Sequence, residues 1–392
     1  MPGDVLADVA AAIGLHEGRH GVEEVLRHVS GRGRVGNRTL CRLTGLPVPL
    51  VAAVCAELRF AGLLSPERPA RLSGAGRALT EGLSWAQVAD CACPVCGGIG
   101  IVLPAALDTA RAELALAMRE APPADARLNQ AHCTVDSKLR RFAYLLDSGA
   151  LSGRSVLLLG DDDFLGLALP LASDAAGSRR PRRLAVVDID PAVIEFSRSV
   201  TECRGIEAEL LTHDLRQPLP GNLVGTFDTV FTDPPYTLGG AELFLSRAAT
   251  ALRPGPGGQV FLCFGPKPPH ETAALQRVIT GMGFAVHRLV RNFNEYAGAS
   301  ILAGTSHLYH LVSGDALAAS VVGDYEGPLY TGEIRRPGRE YRCRACGAWL
   351  VVGSGERWAT IRDLRRQGCP HCRGATFSPG RRAARRRGRQ VG

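Results

Sequence analysis

Four short apolar segments that alternate with segments of helical character constrain the fold more than any other feature of this sequence. They cover residues 155–159, 183–187, 227–232 and 258–264, and the first three are followed by aspartate. A continuous apolar run bounded by polar residues is typical of a strand buried on both faces of a parallel sheet. Strands that alternate with helices predict an α/β, Rossmann-like doubly wound sheet whose ligand lies at the carboxyl ends of the strands.

The loop after the first predicted strand reads Gly160-Asp161-Asp162-Asp163 and is acidic. A loop that binds pyrophosphate relies on glycines and backbone amides, and carboxylates at that place repel the ligand. The aspartates therefore favour a cationic ligand. A sulfonium nucleoside fits this requirement, because it carries one positive charge and no phosphate.

Further aspartates are expected to hold the nucleoside. Asp188 ends the second predicted strand, where a carboxylate can bind the ribose hydroxyls, and Asp214 lies in the loop that reaches the adenine amino group in methyltransferase-like folds. Gly160 and Asp163 are also assigned to the cofactor site, although Asp163 could instead cap the following helix. Asp190 is expected to be such a helix cap.

The element Asp233-Pro234-Pro235-Tyr236 follows directly after the third predicted strand. In amine-alkylating members of the methyltransferase-like fold, this element offers a carboxylate and a proline carbonyl to the substrate amine, with the aromatic ring packed on it. A purely structural turn is the less favoured interpretation because of the position after a strand. Tyr236 taken alone could simply pack in the core.

Several segments occur in the order found in the branched-chain polyamine synthases, and together they resemble that family. The matching segments are Gly160–Asp163, Val187–Asp190, Asp214–Pro220, Phe227–Asp228, Thr232–Pro235 and Arg291–Tyr296. The resemblance implies a methyltransferase-like catalytic domain that transfers aminopropyl groups from decarboxylated S-adenosylmethionine to spermidine, twice on the same nitrogen, and releases methylthioadenosine. It also implies a homodimer.

This chemistry requires a base, because a polyamine nitrogen has a pKa near 10 and only about one molecule in a thousand is unprotonated at pH 7. We expect Asp162 to orient and deprotonate the attacking amine and Asp233 to act as a second acceptor. Other residues expected around the catalytic and substrate site are Asp161, Asp163, Pro234, Tyr236, Asn294 and Glu295.

Residues 1–88 show short amphipathic segments followed by a hairpin-like stretch, which predicts a winged-helix domain. Such a module binds DNA in many proteins, but it also serves for dimerisation or packing, and the fold alone leaves these functions open. Residues 136–320 are assigned to the catalytic domain.

The connector at residues 89–135 contains Cys93-Pro94-Val95-Cys96, which supplies half of a possible zinc site. His132 and Cys133 could complete that site, and a tight turn with buried thiols is the alternative. Five other cysteines lie among apolar neighbours and are predicted to be core thiols. These are Cys41, Cys55, Cys133, Cys203 and Cys263.

Residues 335–378 contain two Cys-x-x-Cys pairs, which predict a zinc ribbon with a structural zinc ion. The predicted ligands are Cys343, Cys346, Cys369 and Cys372, with His371 as a spectator. Residues 349–352 and 357–361 are expected to form the strands of the ribbon.

The net charge of +8 is concentrated at the end of the chain, where residues 379–392 hold six arginines and no acidic residue. This composition predicts a disordered tail that either contacts nucleic acid or is simply solvated. We find no secretion signal and no run of about 18 apolar residues, and we therefore predict a cytoplasmic protein with no membrane association.

A second function remains open. The winged helix, the ribbon and the arginine tail would also suit an S-adenosylmethionine-dependent methyltransferase that acts on an exocyclic amine of DNA or RNA. The triple aspartate opposes this alternative, because it would repel both the carboxylate of intact S-adenosylmethionine and a phosphate backbone. A non-enzymatic nucleic-acid-binding protein is the third possibility.

Overall fold

The computed structural model describes residues 4–82, 96, 98–297, 304–334, 338–353 and 356–379. The chain begins with a helical region. Its helices are α1 (Val5–Ile13), α2 (Gly18–Arg32), α3 (Asn37–Thr44), α4 (Val48–Phe60) and α5 (Gly74–Gly82). The Asp4 carboxylate caps α1 by accepting the amide of Leu6 at 3.1 Å, which satisfies a donor that has no partner within the helix.

Two isolated bridges pair short extended stretches of this N-terminal region. Val35 pairs with Ala70, and Leu64 pairs with Leu72 in an antiparallel manner. Leu64, Ala70 and Leu72 follow α4 in the chain, as the predicted hairpin requires, whereas Val35 precedes α3. A buried aliphatic cluster joins these residues to the helices. The winged-helix assignment and its function stay predictions.

A connector leads from this region to the catalytic domain. It contains α6 (Asp108–Ala117), short 3-10 turns at Ala105–Leu107 and Ala126–Leu128, and α7 (Val135–Asp147). Thr134 caps α7 by accepting the amide of Ser137 at 3.2 Å. One face of α7 is fully buried against the sheet, and this face carries the charged side chains of Lys138 and Arg141.

The catalytic domain is built on a seven-stranded sheet in the order β3-β2-β1-β4-β5-β7-β6. The first five strands are parallel neighbours, and β7 is antiparallel to both β5 and β6. The strands are β1 (Ser155–Leu159), β2 (Arg183–Asp188), β3 (Glu209–Thr212), β4 (Thr229–Thr232), β5 (Gln259–Phe264), β6 (Phe284–Glu295) and β7 (Thr305–Ser313). The predicted methyltransferase-like doubly wound sheet is confirmed.

Helices cover both faces of this sheet, which explains why its inner strand β1 is apolar from Val156 to Leu159. They are α8 (Leu165–Ala175), α9 (Pro191–Cys203), α10 (Leu238–Ala251) and α11 (Pro269–Gly281), with a 3-10 turn at Gly221–Leu223. All residues of β1 are buried. Its alternate side chains enter separate clusters, with Val156 and Leu158 on one face and Leu157 and Leu159 on the other.

The C-terminal region forms a small three-stranded sheet in the order β10-β8-β9. The strands are β8 (Arg339–Cys343), β9 (Trp349–Val352) and β10 (Phe377–Pro379), and α12 (Ile361–Gln367) precedes β10. The predicted strand at 349–352 is present. The predicted strand at 357–361 is wrong, because only Trp358 forms a bridge before Thr360 and Asp363 start α12 with a capping box.

Among the described residues, no single helix has the length and apolar character needed to cross a membrane. The bent pair α3 and α4 passes the same test when taken together, by length and composition only.

Candidate active site

The acidic loop lies at the carboxyl end of β1, where Gly160 adopts a positive φ of 73° and turns the chain toward α8. The Asp161 carboxylate does not face the cleft. It accepts the amides of Leu165 at 2.7 Å and Gly166 at 2.9 Å, and the residue is only 2% exposed. The prediction that Asp161 contacts the substrate is therefore not supported, because its acceptor oxygens serve as the N-terminal cap of α8.

Asp163 is also turned away from the cleft. Its carboxylate accepts the Cys133 amide and forms an ion pair with Arg141 at 2.6 Å. Burial by itself would raise the pKa of this carboxyl, but the charges of Arg141 and Lys138 outweigh burial and hold the pKa at about 2. Asp163 therefore stays ionised and anchors the acidic loop to α7 through Arg141. The structure does not bring Asp163 to the predicted cofactor position.

Arg141 connects the elements that form the floor of the site. Its guanidinium is 1% exposed and donates to Asp163 at 2.6 Å, to Asp233 at 2.8 Å and to the Asn294 amide oxygen at 2.8 Å. Sequence reasoning missed this residue. The signal was the placement of Lys138 and Arg141 one turn apart on the apolar face of an amphipathic helix, where an unpaired cation is costly.

Asp233 ends the strand that precedes the Pro-Pro turn, and two tyrosines donate to it. Tyr296 Oη lies 2.5 Å and Tyr236 Oη lies 3.1 Å from its carboxylate oxygens. The two tyrosine hydroxyls are 3.0 Å apart. Burial raises the pKa of Asp233 to about 6, against the opposing effect of Arg141. Tyr236 thus holds the carboxylate as well as packing against Phe264.

Asp162 is the carboxylate of the acidic loop that faces the cleft. Within the described part of the chain it contacts a single hydrogen-bond donor, the Ala131 amide at 3.1 Å, and no cation. Burial, followed by the charges of Asp163, Asp188 and Asp233, raises the pKa of Asp162 well above its ordinary value. The free site therefore disfavours the ionised form of Asp162, and a bound cation would stabilise that form.

Asp188 and Asp214 lie on the other side of the cleft. Asp188 is 4% exposed and accepts the amides of Asp161 at 2.7 Å and Asp190 at 2.8 Å. Asp214 accepts the Arg216 amide at 2.9 Å. Asp190 accepts the amide of Ala192 at 2.9 Å, so its prediction as a helix cap is confirmed.

These residues surround one open cleft with about 530 Å³ of empty space. The predicted residues that line it are Gly160, Asp162, Asp188, Asp214 and Asp233. The cleft residues that sequence reasoning missed are Leu128, Asn129, Gln130, Ile189, His213, Leu215, Phe244, Leu329 and Tyr330, together with Pro235. Pro234 is buried beside the cleft, and Pro235 contributes to its wall instead.

Two predicted substrate-binding residues lie elsewhere. The Asn294 side chain is fully buried and donates to Ser306 Oγ at 2.9 Å while its oxygen accepts Arg141. Glu295 pairs with Arg42 of α3 at 3.0 Å and approaches Arg140 at 3.7 Å. Because alternate residues of β6 point in opposite directions, Asn294 supports the floor of the site and Glu295 fastens the N-terminal region to it.

The segment that follows β7 supplies one wall of the cleft. The Tyr330 ring lies beneath the Arg216 guanidinium at 5.2 Å, and Arg216 pairs with Glu333 at 2.6 Å. Glu333 also accepts the Leu329 amide at 2.7 Å. Burial raises the pKa of Tyr330 to about 12 against the opposing charge of Arg216, and Tyr330 lines the cleft together with Asp214 and Asp188.

The four cysteines of the C-terminal sheet converge on one point. The Sγ atoms of Cys343, Cys346, Cys369 and Cys372 all lie within 4.8 Å of one another, and two pairs are 3.6 Å apart. Sulfurs at the corners of a tetrahedron around zinc, with bonds of about 2.3 Å, are about 3.8 Å apart. The cluster therefore fits a zinc ion, and His371 is not part of it.

The remaining cysteine predictions have mixed outcomes. Cys93 lies outside the described residues, so the predicted knuckle with Cys96 is not described. Cys133 is buried, with its Sγ 3.6 Å from Lys138 Nζ. Cys41, Cys55 and Cys263 are buried as predicted, whereas Cys203 is exposed because it lies at the solvent-facing end of α9.

The order of the sheet and the acidic cleft at its carboxyl edge define a methyltransferase-like transferase domain. Residues 111–315 match the family model described as the branched-chain polyamine synthase A C-terminal domain. An N(4)-bis(aminopropyl)spermidine synthase from Thermococcus kodakarensis is 31% identical over 279 residues, which cover 70% of this chain and 77% of that protein. The chain belongs to the branched-chain polyamine synthase family.

Similarity also extends to an uncharacterized protein and to a solved structure. A protein of Methanocaldococcus jannaschii is 33% identical over 362 residues, covering 92% of this chain and 89% of that protein. A branched-chain polyamine synthase from Thermus thermophilus, solved with N4-aminopropylspermidine and 5'-methylthioadenosine, gives a TM-score of 0.67 at 27% identity. That match covers 85% of this chain and 99% of the solved chain.

Proposed function

We propose that this protein is an aminopropyltransferase that uses decarboxylated S-adenosylmethionine to alkylate an amine of a polyamine such as spermidine. The products are a branched-chain polyamine and methylthioadenosine. The observation that carries the proposal is the Asp162 carboxylate, which faces the cleft and contacts no cation among the described residues. Membership of the polyamine synthase family supports the same chemistry.

The acidity of the cleft suits a cationic substrate pair. Asp162, Asp188, Asp214 and Asp233 all line it, so a polyamine and a sulfonium group are both attracted there. Intact S-adenosylmethionine carries a carboxylate that these aspartates would repel, and the decarboxylated form lacks it. We assign Asp188 to the ribose hydroxyls and Asp214 to the adenine, since both lie on the side of the cleft that Tyr330 covers.

In the reaction, the bound cations favour the ionised form of Asp162, which then accepts the proton of the attacking secondary ammonium, and burial makes it a stronger base than an ordinary carboxylate. The freed lone pair forms a bond to the propyl carbon next to sulfur. The carbon–sulfur bond breaks, and its electron pair stays on sulfur as a neutral thioether. The new tertiary ammonium must lose its proton before a second transfer, which yields a quaternary ammonium.

Asp233 is held by Arg141 and two tyrosines, which fix the orientation of its carboxylate. We therefore assign it to positioning the amine electrostatically, beside Asp162. Attraction between an ammonium and a carboxylate about 4 Å away is at most about 4 kcal/mol before desolvation, at an effective dielectric of 20. More than one carboxylate is needed to hold a polycation, and the cleft provides several.

We also propose that the cysteine cluster holds a structural zinc ion, because four thiolates leave no open coordination position for a substrate. Cys343, Cys346, Cys369 and Cys372 would hold the ion, which would stabilise the ribbon and take no part in the transfer. The homodimer implied by the family resemblance stays a prediction that sedimentation of the purified chain would test.

The test compares decarboxylated with intact S-adenosylmethionine by calorimetric binding, followed by mass spectrometry of spermidine incubated with each. We expect preference for the decarboxylated form and products heavier by one or two aminopropyl units. Asp162→Asn should lower kcat by about 10²–10⁴-fold. Asp174→Asn, at an exposed carboxylate of α8 that pairs with Arg180, is the matched control and should retain activity.

Preference for intact S-adenosylmethionine together with unchanged spermidine would refute the proposal. Methylation of an exocyclic amine in DNA or RNA would then be the reaction to examine. Unaltered aminopropyl transfer in Asp162→Asn would leave the reaction in place and contradict only the assignment of the base.

A further inference from the structure

The outer face of the C-terminal sheet is the part of the molecule that the transfer reaction leaves without a role. In β9, Leu350 and Val352 face the ribbon core, whereas Trp349 and Val351 are 57% and 38% exposed. Solvent exposure of a tryptophan costs hydrophobic free energy, and exposed aromatics in a small domain often mark a binding surface. A structural role for Trp349 is not supported, because Trp358 already fills the ribbon core at 5% exposure.

Arginine lies directly beside this tryptophan. Arg342 of β8 is the cross-strand partner of Trp349, and such partners share one face of a sheet. Glu340 is the partner of Val351 on the same face, so this face carries one acidic and one basic side chain from β8. Ser378 of β10 is the partner of Arg342 on its other side and continues the face. The Arg342 guanidinium also donates to the Gly347 carbonyl at 3.4 Å, which holds it at the first cysteine turn.

The charge of the ribbon is strongly one-sided. Residues 338–379 contain eight arginines against two glutamates and one aspartate, a net charge of +5 before any metal is bound. Seven of these arginine side chains are described, and all are exposed. Within that part of the chain only Arg366 forms an ion pair, with Asp363 at 3.2 Å. The seven are Arg342, Arg344, Arg357, Arg362, Arg365, Arg366 and Arg373.

We propose that the outer face of the ribbon sheet, formed by Arg342, Trp349 and Val351, binds single-stranded nucleic acid. An unpaired base can stack on the exposed indole, and the Arg342 guanidinium beside it can bind a phosphate, with the other exposed arginines of the ribbon adding to the positive charge. An acidic polypeptide would satisfy the charge but has no planar base for Trp349. A duplex would satisfy the charge too, but its bases are stacked internally and are not available to the indole.

The inference is independent of the proposed transfer reaction, because the residues of this face are not among those that line the catalytic cleft. The arginine-rich tail at 381–389 follows the ribbon in the chain and adds six positive charges. It would strengthen binding to any polyanion, so the test must show a contribution that depends on Trp349 in the complete chain.

The experiment measures fluorescence anisotropy of a labelled oligodeoxythymidine of about 20 nucleotides, titrated with the full-length zinc-loaded protein. We expect Trp349→Ala to weaken binding about tenfold and Trp349→Phe to restore most of it, since a phenyl ring can still stack. Phe60→Ala is the matched control, because Phe60 is a 91% exposed aromatic outside the ribbon. Equal zinc content and equal spermidine alkylation in all variants verify that the chain is folded.

A salt titration tests the charged part of the surface. For single strands, each phosphate contact contributes about −0.7 to the slope of log affinity against log salt. Arg342→Ala should therefore make the slope shallower by about 0.7, whereas Arg198→Ala, at an exposed arginine of α9, should leave it unchanged. Unaltered binding of Trp349→Ala would overturn the proposal, and so would equal competition by poly-glutamate or by a duplex of the same length.

Discussion

The catalytic cleft and the C-terminal ribbon have opposite charge, and they differ in whether their charged side chains are buried or exposed. In the cleft, carboxylates outnumber cations, and the arginine beneath them is fully buried and hydrogen-bonded to four side chains. In the ribbon, arginines outnumber acids, and their side chains extend into solvent. A buried charge must be partnered and therefore fixes geometry, whereas an exposed charge stays available for a ligand.

The difference shows where each region can bind. The cleft leaves Asp162 without a cation, so a cation is attracted there. The ribbon leaves all of its described arginines except Arg366 without an ion pair, so a polyanion is attracted there. The two proposals therefore assign a polyamine and a nucleic acid to separate places on the same chain. The pI near 9.0 describes neither region, because it averages two surfaces of opposite sign.

The largest expected effect is the difference in the free energy of unfolding between substitution of a buried arginine and substitution of an exposed one. Arg141→Met leaves Asp163 and Asp233 buried without their cation, and the free energy of unfolding should fall by about 3–5 kcal/mol. Arg357→Met, at an exposed ribbon arginine, should change it by less than about 0.5 kcal/mol. Urea denaturation of both variants measures this contrast. Similar losses in the two would contradict the distinction between buried and exposed charge.

A smaller effect concerns pH. The pKa of Asp233 is raised from 3.8 to about 6, so the folded state holds this proton more tightly than the unfolded state. The resulting stabilisation is complete below about pH 4 and is lost as pH rises through 6, a decrease of about 3 kcal/mol. Asp163, whose pKa is held at about 2, acts in the opposite direction and only below pH 4.

Denaturation of the free protein at about pH 4.5 and about pH 7, compared with Asp233→Asn, isolates this contribution. The variant should lose less stability on going to the higher pH. Added spermidine should reduce the loss in the unaltered protein, because its cations pair with the ionised carboxylates. The same pH dependence in both proteins would exclude Asp233 as its source.

Removal of the ribbon's metal should affect one region only. Cys343→Ser takes one ligand from the cysteine cluster, and the outer sheet face should lose its order. We expect oligonucleotide affinity to fall about tenfold, as for loss of the stacking aromatic, with kcat for spermidine unchanged. Zinc content, anisotropy and product formation are measured on one preparation. A parallel loss of transfer activity would show that the two regions depend on each other.

The smallest expected effect concerns the cleft wall. Tyr330→Ala removes a ring that lies beside Asp188 and Asp214, and KM for decarboxylated S-adenosylmethionine should rise several-fold to about tenfold while kcat changes little. Tyr325→Ala, on the same segment but outside the lining of the cleft, is the control. Steady-state kinetics with varied nucleoside distinguishes them. A lowered kcat at unchanged KM would place Tyr330 near the reacting atoms instead.

The sequence was sufficient to predict the sheet and most acidic residues of the cleft. Apolar runs followed by aspartate place Asp162, Asp188 and Asp233 at one edge, because the carboxyl ends of parallel strands meet there. The order of adjacent residues within a motif did not predict where each side chain points. Asp161, Asp162 and Asp163 follow one another, yet the turn at Gly160 directs one side chain to a helix cap, one to the cleft and one to a buried arginine.

Contacts between residues that are far apart in the sequence could not be predicted in this way. Arg141 meets Asp233 across a separation of 92 residues, and Arg216 meets Glu333 across 117. In both pairs, the sequence around one residue does not indicate which residue it will contact. Glu295 belongs to a distinctive motif and was predicted to bind substrate, but it pairs with Arg42, and that pairing depends on how the N-terminal region packs against β6.

The segment after β7 determines where this chain can be truncated without losing a wall of the cleft. It passes Tyr330 and Leu329 over the cleft before the chain reaches the ribbon, so the predicted domain boundary at residue 320 and the family boundary at 315 both fall before this wall. A shortened protein ending at either point would lack one wall of the cleft. A chain ending after Glu333 would keep the Arg216 pair and could be compared with the full-length enzyme.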